Sequence, residues 1–191
     1  MEKPRKYLLI AEACGVLFVI LSSFFMSKLY ELCSGELLGV MFGSVNQSIW
    51  ETCKTLLLPY LFWGLIELLS LSPHMRRFTS AKTISLYFLG FIYIGLNLIP
   101  GIEHYKAVTA IISVCASFIL SYFLYYSKLN LNAFFPPSVF LLFLFWAVYF
   151  SFTPFPPENR IFLDTQTGLY GIIPPGFDRG AAVLDAVNLI S

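Results

Sequence analysis

The sequence has little charge and almost no histidine. Charged residues make up 12% of the 191 positions and there are two histidines, whereas 58% of the residues are hydrophobic and 18% are aromatic. A water-soluble domain typically carries about 25% charged residues. The scarcity of charge therefore excludes an ordinary soluble domain, and a mean hydropathy of +0.75 indicates that a lipid bilayer is the solvent.

Three further absences narrow the function. The net charge of +1 comes with no clustered basic footprint, which excludes nucleic acid as a partner. No His-Glu-x-x-His or Gly-x-Ser-x-Gly motif is present, so support for an enzyme is thin. No internal repeat is visible, and the inverted halves of many secondary transporters are therefore not indicated.

Long apolar runs dominate what is present. They predict transmembrane helices over residues 7–26, 45–71, 81–98, 105–126 and 137–152. The first run is about 20 residues long with no small-residue cleavage signature, which favours an uncleaved helix over a signal peptide. The predicted fold is all-α: a polytopic membrane bundle of about five helices over residues 1–153, with a structured outward-facing C-terminal segment, 154–191, packed on it.

Local signals refine these helices. Residues 44–47 resemble a capping box, in which Ser44 would accept from the amide of Gln47 and begin the second helix. Pro59 should kink that helix. Pro136 and Pro137 suit the first turn of the fifth helix, where a missing amide hydrogen has no consequence.

Lysine and arginine in short loops indicate the orientation. More of them fall on the N-terminal side of the predicted bundle than on the other side, which favours a cytoplasmic N-terminus and a multi-pass protein of the cell membrane. The first group is Lys3, Arg5, Lys6, Arg76, Arg77, Lys82 and Lys128, and the second is Lys28, Lys54 and Lys106.

The most informative polar stretch is at the head of the second predicted helix. Gln47, Glu51 and Lys54 would share one helical face, because they stand at i, i+4 and i+7. One interpretation is a solvated first turn with an ordinary ion pair. The other is that these polar side chains face a cavity or polar groups of other segments. The candidate ligand-binding residues of this stretch are Asn46, Gln47, Ser48, Trp50, Glu51 and Lys54. Trp50 also suits an aromatic belt at the membrane interface.

A second polar concentration follows the fifth helix. It adds Glu158, Asp164, Thr167 and Tyr170 as candidate ligand-binding residues. The segment from Asp164 to residue 168 can instead form a turn in which the aspartate side chain accepts from backbone amides, which would make the acid structural.

These two segments resemble the signatures of a family of small multi-pass bacterial membrane proteins classed as a domain of unknown function. Val-Asn-x-Ser-x-Trp-Glu-x-x-Lys is matched at residues 45–54, and Pro-Pro followed by Phe-x-Asp-x-x-Thr-Gly-x-Tyr-Gly is matched at residues 156–171. Family histidines are replaced here by Thr52 and Glu158. The resemblance implies no activity, but it implies that the two segments meet.

Other side chains carry weaker expectations. Glu12 and Glu67 should pair with Lys6, Arg76 or Arg77 near the cytoplasmic side, or share a proton. Cys33 and Cys53 could form a disulfide, although their spacing does not demand one. No cofactor is predicted, but a divalent metal would suit a set of carboxylates and one imidazole if the fold gathered them. That set is Glu51, His104, Glu158 and Asp164.

These observations favour a module that binds or transports an ion, a small polar solute or a membrane lipid head group in an outward-facing polar pocket, with Glu51 and Lys54 as its charged core. The alternative is a membrane-embedded hydrolase or transferase, metal-dependent in one version, that acts on a lipid-linked substrate with Glu51 or Asp164 as general base. A third interpretation is an assembly subunit with Phe-rich interfaces. Homo-oligomer formation stays open.

Overall fold

A computed structural model describes residues 5–71, 73–102 and 105–174 as a helix bundle. Four helices are long and apolar enough to cross a membrane, and a fifth is a shorter apolar helix of 17 residues. The described residues contain no strand, and the predicted all-α membrane bundle is confirmed. The helices are α1 (Arg5–Leu32), α2 (Leu37–Phe42), α3 (Ile49–Leu71), α4 (Met75–Asn97), α5 (Lys106–Tyr126) and α6 (Phe135–Ser151).

The bundle is centred on α3 and α4. Helix α1 packs on α3 and α5, and α4 packs on α3, α5 and α6. Large apolar side chains on the outer faces stay exposed, for example Leu21, Phe91 and Phe143. In a bilayer these apolar side chains contact lipid, and the hydrogen bonds along each helix satisfy the backbone that crosses the hydrocarbon.

Helix α3 begins later than the sequence predicts, and the proposed capping box at Ser44 is wrong. The Ser44 hydroxyl donates to the carbonyl of Asn46, 2.7 Å away, instead of accepting from Gln47. Ser48 is the residue that caps α3, because its Oγ accepts from the N–H of Glu51 at 3.2 Å. Asn46 and Gln47 consequently precede the helix and do not extend its polar face. Pro136 and Pro137 do occupy the first turn of α6.

One expectation about a single residue is corrected, and one possible disulfide does not form. Trp50 is buried rather than placed at the lipid interface, with 8% of its surface exposed. The four cysteines are free, so Cys33 and Cys53 are not joined, and Cys53 is fully buried. Helix α2, which no sequence signal predicted, packs against the end of α1 through Gly39 and Gly43.

Two of the cations used to orient the chain are buried inside the bundle and cannot report on the loops. Lys82 lies two turns inside α4 and Lys54 lies inside α3, and both are buried. Without these two residues in the count, lysine and arginine are still more numerous on the N-terminal side of the predicted bundle. The orientation therefore stays the prediction that the sequence gives, with the N-terminus on the cytoplasmic side.

Candidate functional site

A buried ion pair lies at the head of α3. The Nζ of Lys54 is 3.1 and 3.0 Å from the two carboxylate oxygens of Glu51, three residues earlier on the same helix. Glu51 is 2% exposed and Lys54 is 1% exposed. The solvated first turn that the sequence allowed is therefore excluded, and the two charges face protein partners.

Those partners come from two other segments. Thr153, which follows α6, donates its hydroxyl to Glu51 at 3.1 Å and accepts from Lys54. The N–H of Val45 donates to the second oxygen of Glu51 at 3.2 Å. The ring of Tyr149 lies 5.2 Å from the Lys54 ammonium, a cation–π contact. Each charged group is thus fully satisfied, as a buried pair requires.

Aromatic rings pack next to the pair. The Trp50 ring lies 5.5 Å from the rings of both Phe152 and Phe162, and those two rings are 5.3 Å apart. The backbone N–H of Trp50 donates to the backbone carbonyl of Ile161 at 3.0 Å. This contact fixes the C-terminal loop on the first turn of α3.

Asp164 forms the turn that the sequence allowed. Its Oδ2 accepts from the N–H of Thr167 at 2.9 Å and from the Thr167 hydroxyl at 2.6 Å. The N–H of Gly168 closes the turn on the Asp164 carbonyl. Gly168 has a φ of +69°, a conformation that favours glycine. The carboxylate is 2% exposed, so its first role is to order this loop.

The two signature segments meet, as the resemblance implied. The other oxygen of Asp164 accepts from the N–H of Gln47 at 2.9 Å. The side-chain amide of Asn46 donates to the carbonyl of Gly171 at 2.8 Å, and its oxygen accepts from the N–H of Ser48. Asn46 and Ser48 thus act through backbone contacts that join the loop to α3.

Two cavities adjoin this junction, and Asp164 and Gln166 line both. The first, called the basic cleft, has a volume of about 310 Å³. The second, called the polar pocket, has a volume of about 180 Å³. The basic cleft is lined by Ile49, Asn97, Lys106, Arg160, Leu163, Asp164, Thr165, Gln166 and Gly168. The polar pocket is lined by Ser27, Tyr30, Glu31, Ser44, Val45, Asn46, Gln47, Thr52, Asp164, Gln166, Thr167, Ile173 and Pro174.

The basic cleft combines two cations with a buried acceptor. Lys106, the first residue of α5, donates to the carbonyl of Gln47 at 2.7 Å. Arg160 comes from the C-terminal loop. Asn97 is the last residue of α4 and is 1% exposed, and its amide nitrogen donates to Tyr93 and Thr109. Its Oδ1 has no hydrogen-bond partner among the described residues, so a donor from a bound molecule would satisfy it.

The predicted site residues divide into three groups. Glu51, Lys54, Ser48 and Trp50 are buried beneath the loop and line neither cavity. Asn46, Gln47, Asp164 and Thr167 line one or both. Glu158 and Tyr170 are exposed and also line neither.

The four residues suggested for a divalent metal receive no support as a site from the described part of the chain. No group of three or more His, Cys, Asp or Glu side chains in the described ranges is placed to hold a metal ion. Of the four residues in that set, His104 lies outside the described residues. Glu51 and Asp164 are held by the hydrogen bonds given above.

Four residues of the site were not predicted as such from the sequence: Thr153, Asn97, Lys106 and Arg160. Lys106 was counted only as a charge on the outer side, although cations are scarce in this chain. Thr153 is a polar residue directly after an apolar helix, which is a local signal. Nothing in the sequence shows that its partner is Glu51, 102 positions away.

Comparison with known proteins gives one match. A family model described as "Family of unknown function (DUF6512)" matches residues 1–172, a range that contains both signature segments. No curated protein and no solved structure matches the chain.

Proposed function

The chain belongs to this family of unknown function, DUF6512, and we propose that it binds a small anionic molecule, either a polar solute or a lipid head group, in the basic cleft. The observation that carries the proposal is the placement of Lys106, Arg160 and Asn97 around one cavity of about 310 Å³. Binding there would be the first step of transport if the bundle moves its ligand.

Charge supports an anion. The cleft receives two positive side chains, from α5 and from the loop, and one carboxylate, that of Asp164. That carboxylate already accepts from Gln47 and Thr167. A phosphate or carboxylate group would complement the two cations, which are the usual partners of such groups in proteins.

The acceptor on Asn97 supports a ligand that also carries a donor. A buried carbonyl oxygen without a partner is unfavourable by about 1–3 kcal/mol. An ammonium or hydroxyl group of the ligand would satisfy it. Ethanolamine and glycerol phospholipid head groups and small zwitterionic solutes with an ammonium group combine an anionic group with such a donor.

Native mass spectrometry of the full chain, purified in mild detergent, tests the proposal. We expect a bound species whose mass distinguishes a phospholipid from a soluble solute, and its loss in Lys106→Gln and Arg160→Gln. Lys28→Gln is the matched control, because Lys28 is exposed and pairs with Glu31 on the surface of α1.

Absence of any bound species from the wild-type protein, or its retention in both cleft variants, would overturn the proposal. Elemental analysis of the same samples tests the divalent metal directly. Stoichiometric metal would favour the membrane-embedded enzyme over the binding module.

A further inference from the structure

Three ionisable side chains from three helices meet inside the bundle. The Nζ of Lys82 on α4 lies 2.7 Å from a carboxylate oxygen of Glu12 on α1 and 2.6 Å from one of Glu67 on α3. The exposed fractions are 8% for Lys82, 3% for Glu12 and 1% for Glu67. The expected pairing of the two acids with Lys6, Arg76 or Arg77 is therefore wrong, because Lys82 takes that place. We call these three side chains the buried triad.

The buried triad is separate from the basic cleft. Glu67 follows Glu51 by 16 residues on α3, a distance of about 24 Å at a rise of 1.5 Å per residue. It therefore lies toward the opposite end of the bundle, the end predicted to face the cytoplasm. The role of the buried triad is therefore independent of the function proposed for the basic cleft.

Aromatic rings surround the cation of the triad. The Lys82 ammonium lies 4.6 Å from the ring centroid of Phe118, 5.2 Å from that of Tyr60 and 5.6 Å from that of Phe78. Tyr60, on α3, is a further titratable group facing the triad, and α5 contributes the neutral Ser121, which donates to Glu12 at 3.1 Å. An apolar cavity of about 170 Å³ between α3, α4 and α6 reaches Lys82.

The charges of the triad do not balance. Two carboxylates face one ammonium, which gives a formal charge of −1 when all three are ionised. Glu67 Oε1 has no hydrogen-bond partner among the described residues. A net charge without a partner is strongly unfavourable inside a membrane bundle. One positive charge is needed to neutralise the site.

A proton satisfies this requirement better than a metal cation. Lys82 already occupies the position between the two carboxylates, and its charge repels a second cation there. A proton needs no coordination shell. It can form an O–H bond to a carboxylate oxygen, which converts that oxygen into a donor.

We propose that Glu12, Glu67 and Lys82 form a proton-binding site that holds one exchangeable proton at neutral pH. Binding forms an O–H bond on one carboxyl group and makes the triad neutral. Release gives the proton to water or another base and restores the charge of −1.

Infrared spectroscopy of the full chain in detergent tests this directly. At pH 7 we expect one protonated-carboxyl C=O band per chain that shifts in D₂O and disappears as the pH is raised. Glu12→Gln and Glu67→Gln should each lose the band, because either substitution leaves one carboxylate paired with one ammonium. Glu31→Gln, at an exposed carboxylate, should keep it.

Two outcomes would overturn the proposal. One is the absence of a protonated-carboxyl band from the wild-type spectrum at neutral pH, a result that does not depend on any variant. The other is a band that persists in both glutamine variants. If neither variant folds, Lys82→Met decides, because removal of the ammonium should double the band, and an unchanged intensity would count against the site.

Discussion

Asp164 accepts a hydrogen bond from the backbone N–H of Gln47, 2.9 Å away, across 117 positions of the sequence. The same carboxylate holds Thr167 with its other oxygen. One buried side chain therefore orders the C-terminal loop and joins that loop to the segment that leads into α3. Both cavities beside the junction depend on this carboxylate for one wall.

Replacing Asp164 with asparagine should weaken the junction. The amide group offers one accepting oxygen where the carboxylate has two, so either Gln47 or Thr167 loses its partner. We expect the free energy of unfolding to fall by about 1–3 kcal/mol, measured as a lower midpoint of thermal unfolding in detergent. Glu158→Gln removes an exposed carboxylate from the same loop and should leave the midpoint unchanged. Equal midpoints for the two variants would show that Asp164 does not stabilise the contact between the C-terminal loop and the segment before α3.

A double-mutant cycle should reveal coupling between Glu51 and Lys54. Glu51→Gln alone leaves a buried ammonium without its counter-charge, which is destabilising by about 3–5 kcal/mol. Lys54→Met together with Glu51→Gln should be less destabilising than the sum of the two single changes. The exposed pair Lys28 and Glu31 is the control cycle, and it should show little coupling. Additive effects at the buried pair would contradict the geometry described here.

Gly15→Ala should disrupt the crossing of α1 with α3 and α5. A Cβ atom at Gly15 would lie 2.5 Å from two atoms of the Trp63 indole and 2.6 Å from Phe118. The indole is also held by a hydrogen bond to the carbonyl of Ala11, so it cannot simply move aside. We expect a loss of about 1–3 kcal/mol from overpacking, again read from thermal unfolding.

The matched control for that substitution is Gly95→Ala, in α4. A Cβ atom there meets nothing within 4 Å, so the change should be neutral or stabilising by up to about 1 kcal/mol. If both alanine variants lost similar stability, the close approach at Gly15 would not be the cause.

Cysteine labelling tests the predicted orientation. Cys33 follows α1 in a turn and is partly exposed, whereas Cys53 is fully buried. In a chain with Cys14 and Cys115 replaced by alanine, a membrane-impermeant maleimide should label Cys33 from outside intact cells. Cys53 should react only after denaturation. If Cys33 is labelled only in permeabilised cells, the orientation is opposite to the predicted one.

The sequence predicts the helices well because the bilayer imposes a simple rule on them. Apolar runs of sufficient length must become helices, and the described α3, α4 and α5 end within a few residues of the predicted positions. The start of α3 differs by four residues. The reason is that Asn46 and Gln47 bond with the distant C-terminal loop, whereas a capping motif describes only neighbours in the sequence.

The candidate site was predicted less completely because its contacts connect distant segments. Helical spacing placed Glu51 beside Lys54, but burial of this pair depends on Thr153 and Tyr149, which follow from packing. Lys82 was counted as a loop cation, since charges near helix ends are usually solvated. A lysine can be buried inside α4 because Glu12 and Glu67 face it, and the sequence does not show that they do.

The order of the buried triad along the chain has a consequence for biosynthesis. Both acids, Glu12 and Glu67, are synthesised before Lys82. Helices that enter the bilayer in chain order would bring two carboxyl groups into the membrane before the ammonium that neutralises one of them is available. The first helices would then have to enter with these acids protonated, or wait at the membrane surface until α4 leaves the ribosome. Glu51 and Lys54 face no such delay, because they enter together on one helix.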